Sequence, residues 1–119
     1  LIEIVQNHSI KYCYIGSDTH RIKMCQDDII HIRKTKGTKY VSFCTTEGEI
    51  RERTSIEKVL EKLGSDEFII VERGSVVNLR HIMKVRNNTI YLNNGDTVEA
   101  SHARIKKVKE NIRKYWEER

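Results

Sequence analysis

The chain has 119 residues, with 22 Lys and Arg against 17 Asp and Glu, a formal net charge of +5 and a pI near 9.2. That length is one domain's worth and can bury a single core without staples. A mean hydropathy of −0.59 and the lack of any apolar run approaching ~20 residues exclude a membrane-spanning helix. No signal-peptide pattern opens the chain, so export is not expected. Cys13, Cys25 and Cys44 are odd in number and form no CxxC pair, which argues against a disulfide framework and for a reducing cytoplasm.

The N-terminal half reads as alternating strands. Ile10, Tyr12 and Tyr14 alternate with Lys11 and Cys13, Gly16-Ser17-Asp18 forms a turn, and Arg21 to Met24 returns with Ile22 and Met24 on one face. Asp28 to Arg33 follows, with Ile30 and Ile32 expected to face inward. A polar loop from Lys34 to Thr38 leads into Lys39 to Thr45, where Val41 and Phe43 share a face, and Glu47-Gly48 turns the chain into Glu49 to Arg53. The clearest helix comes next. Thr54 with Glu57 predicts a capping box, Ile56, Val59, Leu60 and Leu63 form one apolar face, and Gly64 stands where a C′ glycine belongs.

Strand patterns resume at Glu67 to Val71 and Ser75 to Leu79, separated by Glu72-Arg73-Gly74. Ile82 to Arg86 and Thr89 to Leu92 flank the hairpin signal Asn87-Asn88, and Asn93 to Asp96 turns into Thr97 to Ala100. Ser101 is expected to cap a final helix with Ile105, Val108, Ile112 and Tyr115 on one face. The chain has no proline, internal linker or repeat, so one compact unit is expected over residues 9–119. Leu1 to His8 reads as the tail of a linker or helix. The fold class is mostly β: about ten strands in stacked antiparallel sheets, one short internal helix and a C-terminal helix.

Charge is segregated. Arg33 to Thr46 and Arg73 to Gly95 hold no acid, Arg104 to Lys114 holds only Glu110, and the acids gather between Glu47 and Glu67 and at the two ends. Neutralising a row of phosphates needs such segregation, because each contact releases condensed counterions. A set of solvated lysines is the equally ordinary reading of the same pattern. The C-terminal basic helix is open to both readings, a solvated amphipathic helix or a phosphate-contacting one.

The order of features also resembles a known family. Asp27-Asp28-Ile29-Ile30-His31-Ile32 looks like the opening strand of LytTR-type DNA-binding domains, and a polar loop, a strand, a Thr-Glu-Gly turn and a short capped helix follow it as they do there. Asp66 to Ile82, with Val77-Asn78-Leu79 and Ile82, resembles the family's F-x-R-x-H-R-S-x-x-V-N-L-x-x-I signature. The Asn-Gly-Asp hairpin and Ala100 to Lys107 look like its closing V-S-R-R-x-x-K-x-L. The resemblance spans roughly Ile10 to Val108. It implies stacked antiparallel sheets whose loops enter successive major grooves, in the C-terminal effector domain of a bacterial two-component response regulator acting on promoter direct repeats. It also implies a phosphorylatable receiver domain upstream and allows a homodimer on DNA.

Carried over residue by residue, the resemblance makes Lys39 and Arg73 base-contacting, with His102 and Arg104 the candidates in a third segment. Lys34, Lys36, Thr38, Ser75, Arg80, Lys106 and Lys107 become phosphate contacts. Ala103 stands where the family commonly has arginine, Ile70 and Glu72 replace its Arg and His, and Gly74 replaces an Arg or Ser. Glu72 either points away along its strand or pairs with Arg73 or a nearby lysine. The loops Lys36 to Lys39 and Glu72 to Ser75 are expected to lie far apart on the sheet, a helical turn of DNA from one another.

The remaining polar residues read as structural. Asn78 is expected to satisfy backbone groups at a strand end rather than touch a base. The five histidines and three cysteines show no metal-ligand spacing, so neither a zinc site nor a cofactor is expected. Ser101-His102 lacks a nucleophile-elbow context and there is no glycine-rich phosphate loop, so an enzyme is not expected. The function read from the sequence is sequence-specific binding of double-stranded DNA. The rivals are an RNA- or single-strand-binding β module, against which the dispersed Tyr12, Tyr14, Tyr40 and Tyr91 argue, and a module for an acidic protein partner.

Overall fold

The computed structural model describes residues 10–118; the expected linker segment, Leu1 to His8, lies outside them. Ten strands run in the order β1 (Tyr12–Gly16), β2 (Arg21–Cys25), β3 (Ile29–Lys34), β4 (Tyr40–Thr45), β5 (Gly48–Arg53), β6 (Phe68–Glu72), β7 (Ser75–Asn78), β8 (Ile82–Arg86), β9 (Thr89–Leu92) and β10 (Thr97–Glu99). Helix α1 (Ile56–Leu63) separates β5 from β6, and α2 (Ile105–Glu117) closes the chain. Every strand pair is antiparallel. β1 and β2 form a hairpin, β5-β4-β3-β7-β6 a five-stranded sheet, and β10-β9-β8 a three-stranded sheet.

The five-stranded sheet is the middle layer and carries a core on each face. One core joins Ile15, Met24, Ile32, Phe43 and Val76 to Val59 and Leu63 of α1. The other joins Ile30, Val71 and Val77 to Ile90, Leu92 and Val98 of the small sheet and to Val108 and Ile112 of α2. Complete burial of a side chain of this size stabilises by ~1.5–3 kcal/mol, so both faces matter. A middle strand with a core on each side cannot show polar alternation, and β7 is buried at all four positions.

Ile30 and Ile32 are both buried, as expected, but they enter opposite cores. The register of β3 against β4 shifts between Ile29 and His31. This bulge adds one residue on β3 and breaks the period of two. Ile29 and Ile32 therefore face one core, and Ile30 faces the other. In β1 the alternation places Cys13 and Ile15 inside and leaves Tyr12 and Tyr14 exposed.

Both helix starts differ from the sequence reading. Ser55, not Thr54, is the N-cap of α1; its hydroxyl accepts from Lys58 N at 3.2 Å. Adjacent Thr and Ser are both competent caps, and the one whose backbone is extended where the helix begins takes the role. Gly64 ends α1 at φ 53, and its N–H donates to Leu60 O. Ser101 does not cap α2 with its side chain. The N-cap is Arg104, and Ser101 O accepts from the N–H groups of Arg104 and Ile105, both at 3.0 Å.

Candidate nucleic-acid interface

β3 ends at Lys34, where a tight loop begins. Thr38 N and Thr38 Oγ1 both donate to Thr35 O, at 3.2 and 2.9 Å, Tyr40 N donates to Thr38 Oγ1, and Lys34 Nζ donates to Thr38 O. Thr38 is therefore engaged inside its own loop, while Lys36 and Lys39 are exposed. Gly37 has φ 77, which permits the turn.

The β6–β7 turn lies against the base of this loop. Lys34 N donates to Gly74 O at 2.8 Å. Gly74 adopts φ 83, and a Cβ there would meet Lys34 Cβ at 3.2 Å. Glycine is thus favoured both by backbone conformation and by close approach. The expectation that the two loops are far apart is corrected here: pairing of β3 with β7, in register Arg33↔Ser75, brings them side by side. Between them and the strand β10 lies an open groove of about 920 Å³. Four basic side chains, Arg33, Lys34, Lys36 and Arg73, face two acids there, Glu72 and Glu99.

The third segment joins the same edge. Ser101 N donates to Val71 O at 2.8 Å, two residues before Arg73, and Ala100 N donates to Asn88 O at 2.8 Å. The turn of residues 101–104 and the Asn87-Asn88 hairpin are therefore tied to the β6–β7 turn. His102, Ala103 and Arg104 are exposed, as are Lys106 and Lys107 in the first turn of α2. Two backbone hydrogen bonds thus link three loops that are distant in sequence into one edge.

The sequence-inferred residues divide on this frame. Lys36 and Arg73 share the groove. Lys39 points to the other side of Lys34, into a depression of about 390 Å³ shared with Arg53 and Lys58. Those two cations were hidden in the sequence by the surrounding acids. Arg73 has no side-chain partner among the described residues, and Glu72, exposed beside it, makes no ion pair among them. Ser75 is buried to 8% exposure at the floor of the groove.

Arg80 does not join the edge. It follows the opposite end of β7, where its Nε lies 3.3 Å from Asp27 Oδ1. Partial burial pulls its guanidinium down, and the charge and hydrogen bond of Asp27 more than offset this and leave it raised. Asn78 behaves as its sequence context implies. Fully buried, it donates through Nδ2 to Ile29 O at 2.8 Å, and its Oδ1 accepts from Arg80 N at 3.0 Å.

The absence of metal-ligand spacing in the sequence does not carry over into space. His31, Cys44 and Asp96 place one ligand atom each within 4.8 Å of one another. No helix among the described residues is long and apolar enough to cross a membrane.

Comparison with known proteins accords with this arrangement. The family model described as the LytTr DNA-binding domain matches residues 19–113. A solved structure of the LytTr DNA-binding domain of a putative methyl-accepting/DNA response regulator from Bacillus cereus superposes with a TM-score of 0.72 at 17% identity, covering 85% of this chain and 95% of that one. A search of the curated proteins found no match.

Proposed function

The chain belongs to the LytTR DNA-binding domain family, and from that premise we propose that it is the effector domain of a bacterial transcriptional response regulator. In this reading it binds double-stranded promoter DNA through the edge formed by the three joined loops. Arg73 and Lys39, with His102 and Arg104, read base edges in the major groove. Lys34, Lys36, Lys106 and Lys107 hold phosphates, joined by Arg33, Arg53 and Lys58. A partnerless arginine on a turn is suited to donate two hydrogen bonds to guanine O6 and N7, while amines around it fix register without reading sequence. A receiver domain upstream, direct-repeat sites and pairing of two copies on DNA complete the proposal.

One observation carries it: Arg73, exposed and unpaired, stands at the centre of a hydrogen-bonded row of loops whose cations converge on a groove. Phosphate contacts alone would give sequence-blind, salt-sensitive binding. About six of them predict a log–log salt slope near −5 on duplex DNA. The decisive experiment selects a preferred duplex from a random pool and compares it with single strand and RNA of the same sequence. Preference for the selected duplex with a steep salt slope supports the reading, and equal affinity for all three or a slope near zero rejects it. On the selected site, Lys39→Ala and Arg73→Ala should relax preference at different base pairs.

A further inference from the structure

His31, Cys44 and Asp96 take no part in the basic edge. The bulge in β3 turns His31 toward the three-stranded sheet, on the same face as Cys44, its partner in the β3–β4 register. The turn between β9 and β10 then brings Asp96 over the pair. Asp96 Oδ2 lies 3.0 Å from His31 Nε2 and 3.4 Å from Cys44 Sγ. We propose that His31, Cys44 and Asp96 form a binding site for a zinc-class divalent cation, Zn²⁺ or Co²⁺, with solvent completing the coordination.

Bond lengths to zinc of ~2.0–2.3 Å for nitrogen, oxygen and sulfur place tetrahedral ligands roughly 3.3–3.7 Å apart. The two separations from Asp96 need to open by only a few tenths of an ångström, and the imidazole and thiol, whose ligand atoms lie within 4.8 Å of each other, close toward the ion. A thiolate and a carboxylate neutralise a dication, and sulfur with imidazole selects against Mg²⁺ and Ca²⁺. Outer contacts are in place as well: Asn94 Nδ2 donates to Asp96 Oδ2 at 2.9 Å and lies 3.6 Å from Cys44 Sγ, and Asn94 Oδ1 accepts from Asp96 N at 3.0 Å. Such contacts orient metal ligands. His31 Nδ1 is buried without a partner among the described residues, so no hydrogen bond from them opposes a shift of the ring. The Asp96 side chain is 47% exposed, which gives an ion a path in. A Cys–His nucleophile pair fits less well, because the carboxylate bonds both other groups and stands where the imidazole would have to meet the thiol. On binding, the Cys44 S–H proton leaves to solvent and the imidazole keeps one proton on its non-ligating nitrogen. The ion would tie the five-stranded sheet to the three-stranded sheet beside Thr97, which lines the groove.

The test titrates chelator-treated, fully reduced protein with Co²⁺ and then Zn²⁺. The expected result is one equivalent of Co²⁺ with a thiolate-to-cobalt charge-transfer band, lost on adding Zn²⁺, and a higher melting temperature with Zn²⁺. Cys44→Ser should abolish the band, Asp96→Asn should weaken Co²⁺ binding at least tenfold, and Asn94→Ala should weaken it ~10–100-fold. Cys25→Ser should change nothing. Asp96→Asn is an exposed, isosteric change, so the test survives if Cys44→Ser does not fold. A wild-type titration without the charge-transfer band, a band that persists in Cys44→Ser, or unchanged affinity in Asp96→Asn overturns the proposal.

Discussion

The two ends of β7 carry arginines seven residues apart, Arg73 and Arg80, and treat them in opposite ways. At the Asn78 end the polar side chains engage one another and the backbone. Asn78 bridges Ile29 O and Arg80 N, Arg80 meets Asp27, and His81 Nε2 donates to Asp27 O at 2.6 Å. At the Ser75 end the turn is held through backbone, Lys34 N to Gly74 O and Ser101 N to Val71 O, and the Arg73 guanidinium has no partner among the described residues. On the proposed reading, one end of the strand contributes to stability and the other to recognition. A cation whose partners lie within the fold makes a poor reader of DNA, because binding must first break an existing pair.

Mutations at the two ends should separate these roles. The largest effect is expected from Asn78→Ala, which strands a buried carbonyl and an amide, each at a cost of ~1–3 kcal/mol. Unfolding in urea should show a loss of about 3 kcal/mol. A loss below ~1 kcal/mol would mean that this amide does not hold the closed end. Next comes Arg73→Ala, expected to weaken binding to a selected duplex by ~1–3 kcal/mol while shifting stability by less than ~0.5 kcal/mol, as for an unpaired surface residue. Equal losses on specific and random duplexes would reduce Arg73 to a phosphate contact. Arg80→Ala should do the reverse. Its partly exposed ion pair is worth under ~1 kcal/mol of stability, and DNA affinity measured by fluorescence anisotropy should stay within twofold. A large affinity loss there would break the contrast.

The smallest effect is expected at Ser101, beside the Ser75 end. Ser101 Oγ is buried with no hydrogen-bond partner among the described residues, so Ser101→Ala removes an unsatisfied group while keeping the backbone bonds to Val71, Arg104 and Ile105. Thermal unfolding should show stability unchanged or raised by up to ~1 kcal/mol. A clear loss would mean that the hydroxyl does cap or bind.

The contrast between Arg73 and Arg80 was not legible in the sequence, where both lie in the same acid-free stretch. What separates them is Asp27, more than fifty residues away along the chain, and only tertiary pairing brings it to Arg80. The same limit hid the adjacency of the loops, which depends on β3 pairing with β7, and the cluster of His31 and Asp96, 65 residues apart. Local signals transferred well. The apolar face of Ile56, Val59 and Leu63, the glycine that ends that helix, and the Asn87-Asn88 hairpin all stand where periodicity and turn chemistry put them. Helix starts moved by a few residues because adjacent Thr54 and Ser55 are both competent caps and because a turn closed on Ser101 O precedes α2. The bulge at Ile30 left no mark, since an extra residue is defined only against the partner strand.

The contact between Gly74 and Lys34 limits how relatives of this domain can diverge in target choice. Any side chain at position 74 would push into Lys34 Cβ from a backbone conformation that L-residues rarely adopt. The Arg or Ser that the family carries there therefore requires the two turns to shift by a few tenths of an ångström relative to their packing here. New preferences arise with less rearrangement at flanking positions such as 36, 39, 73 and 102, whose side chains are exposed. Lengthening either turn would separate the pair and change the spacing at which both meet a duplex. Drift in specificity should therefore proceed by residue exchange at constant loop length.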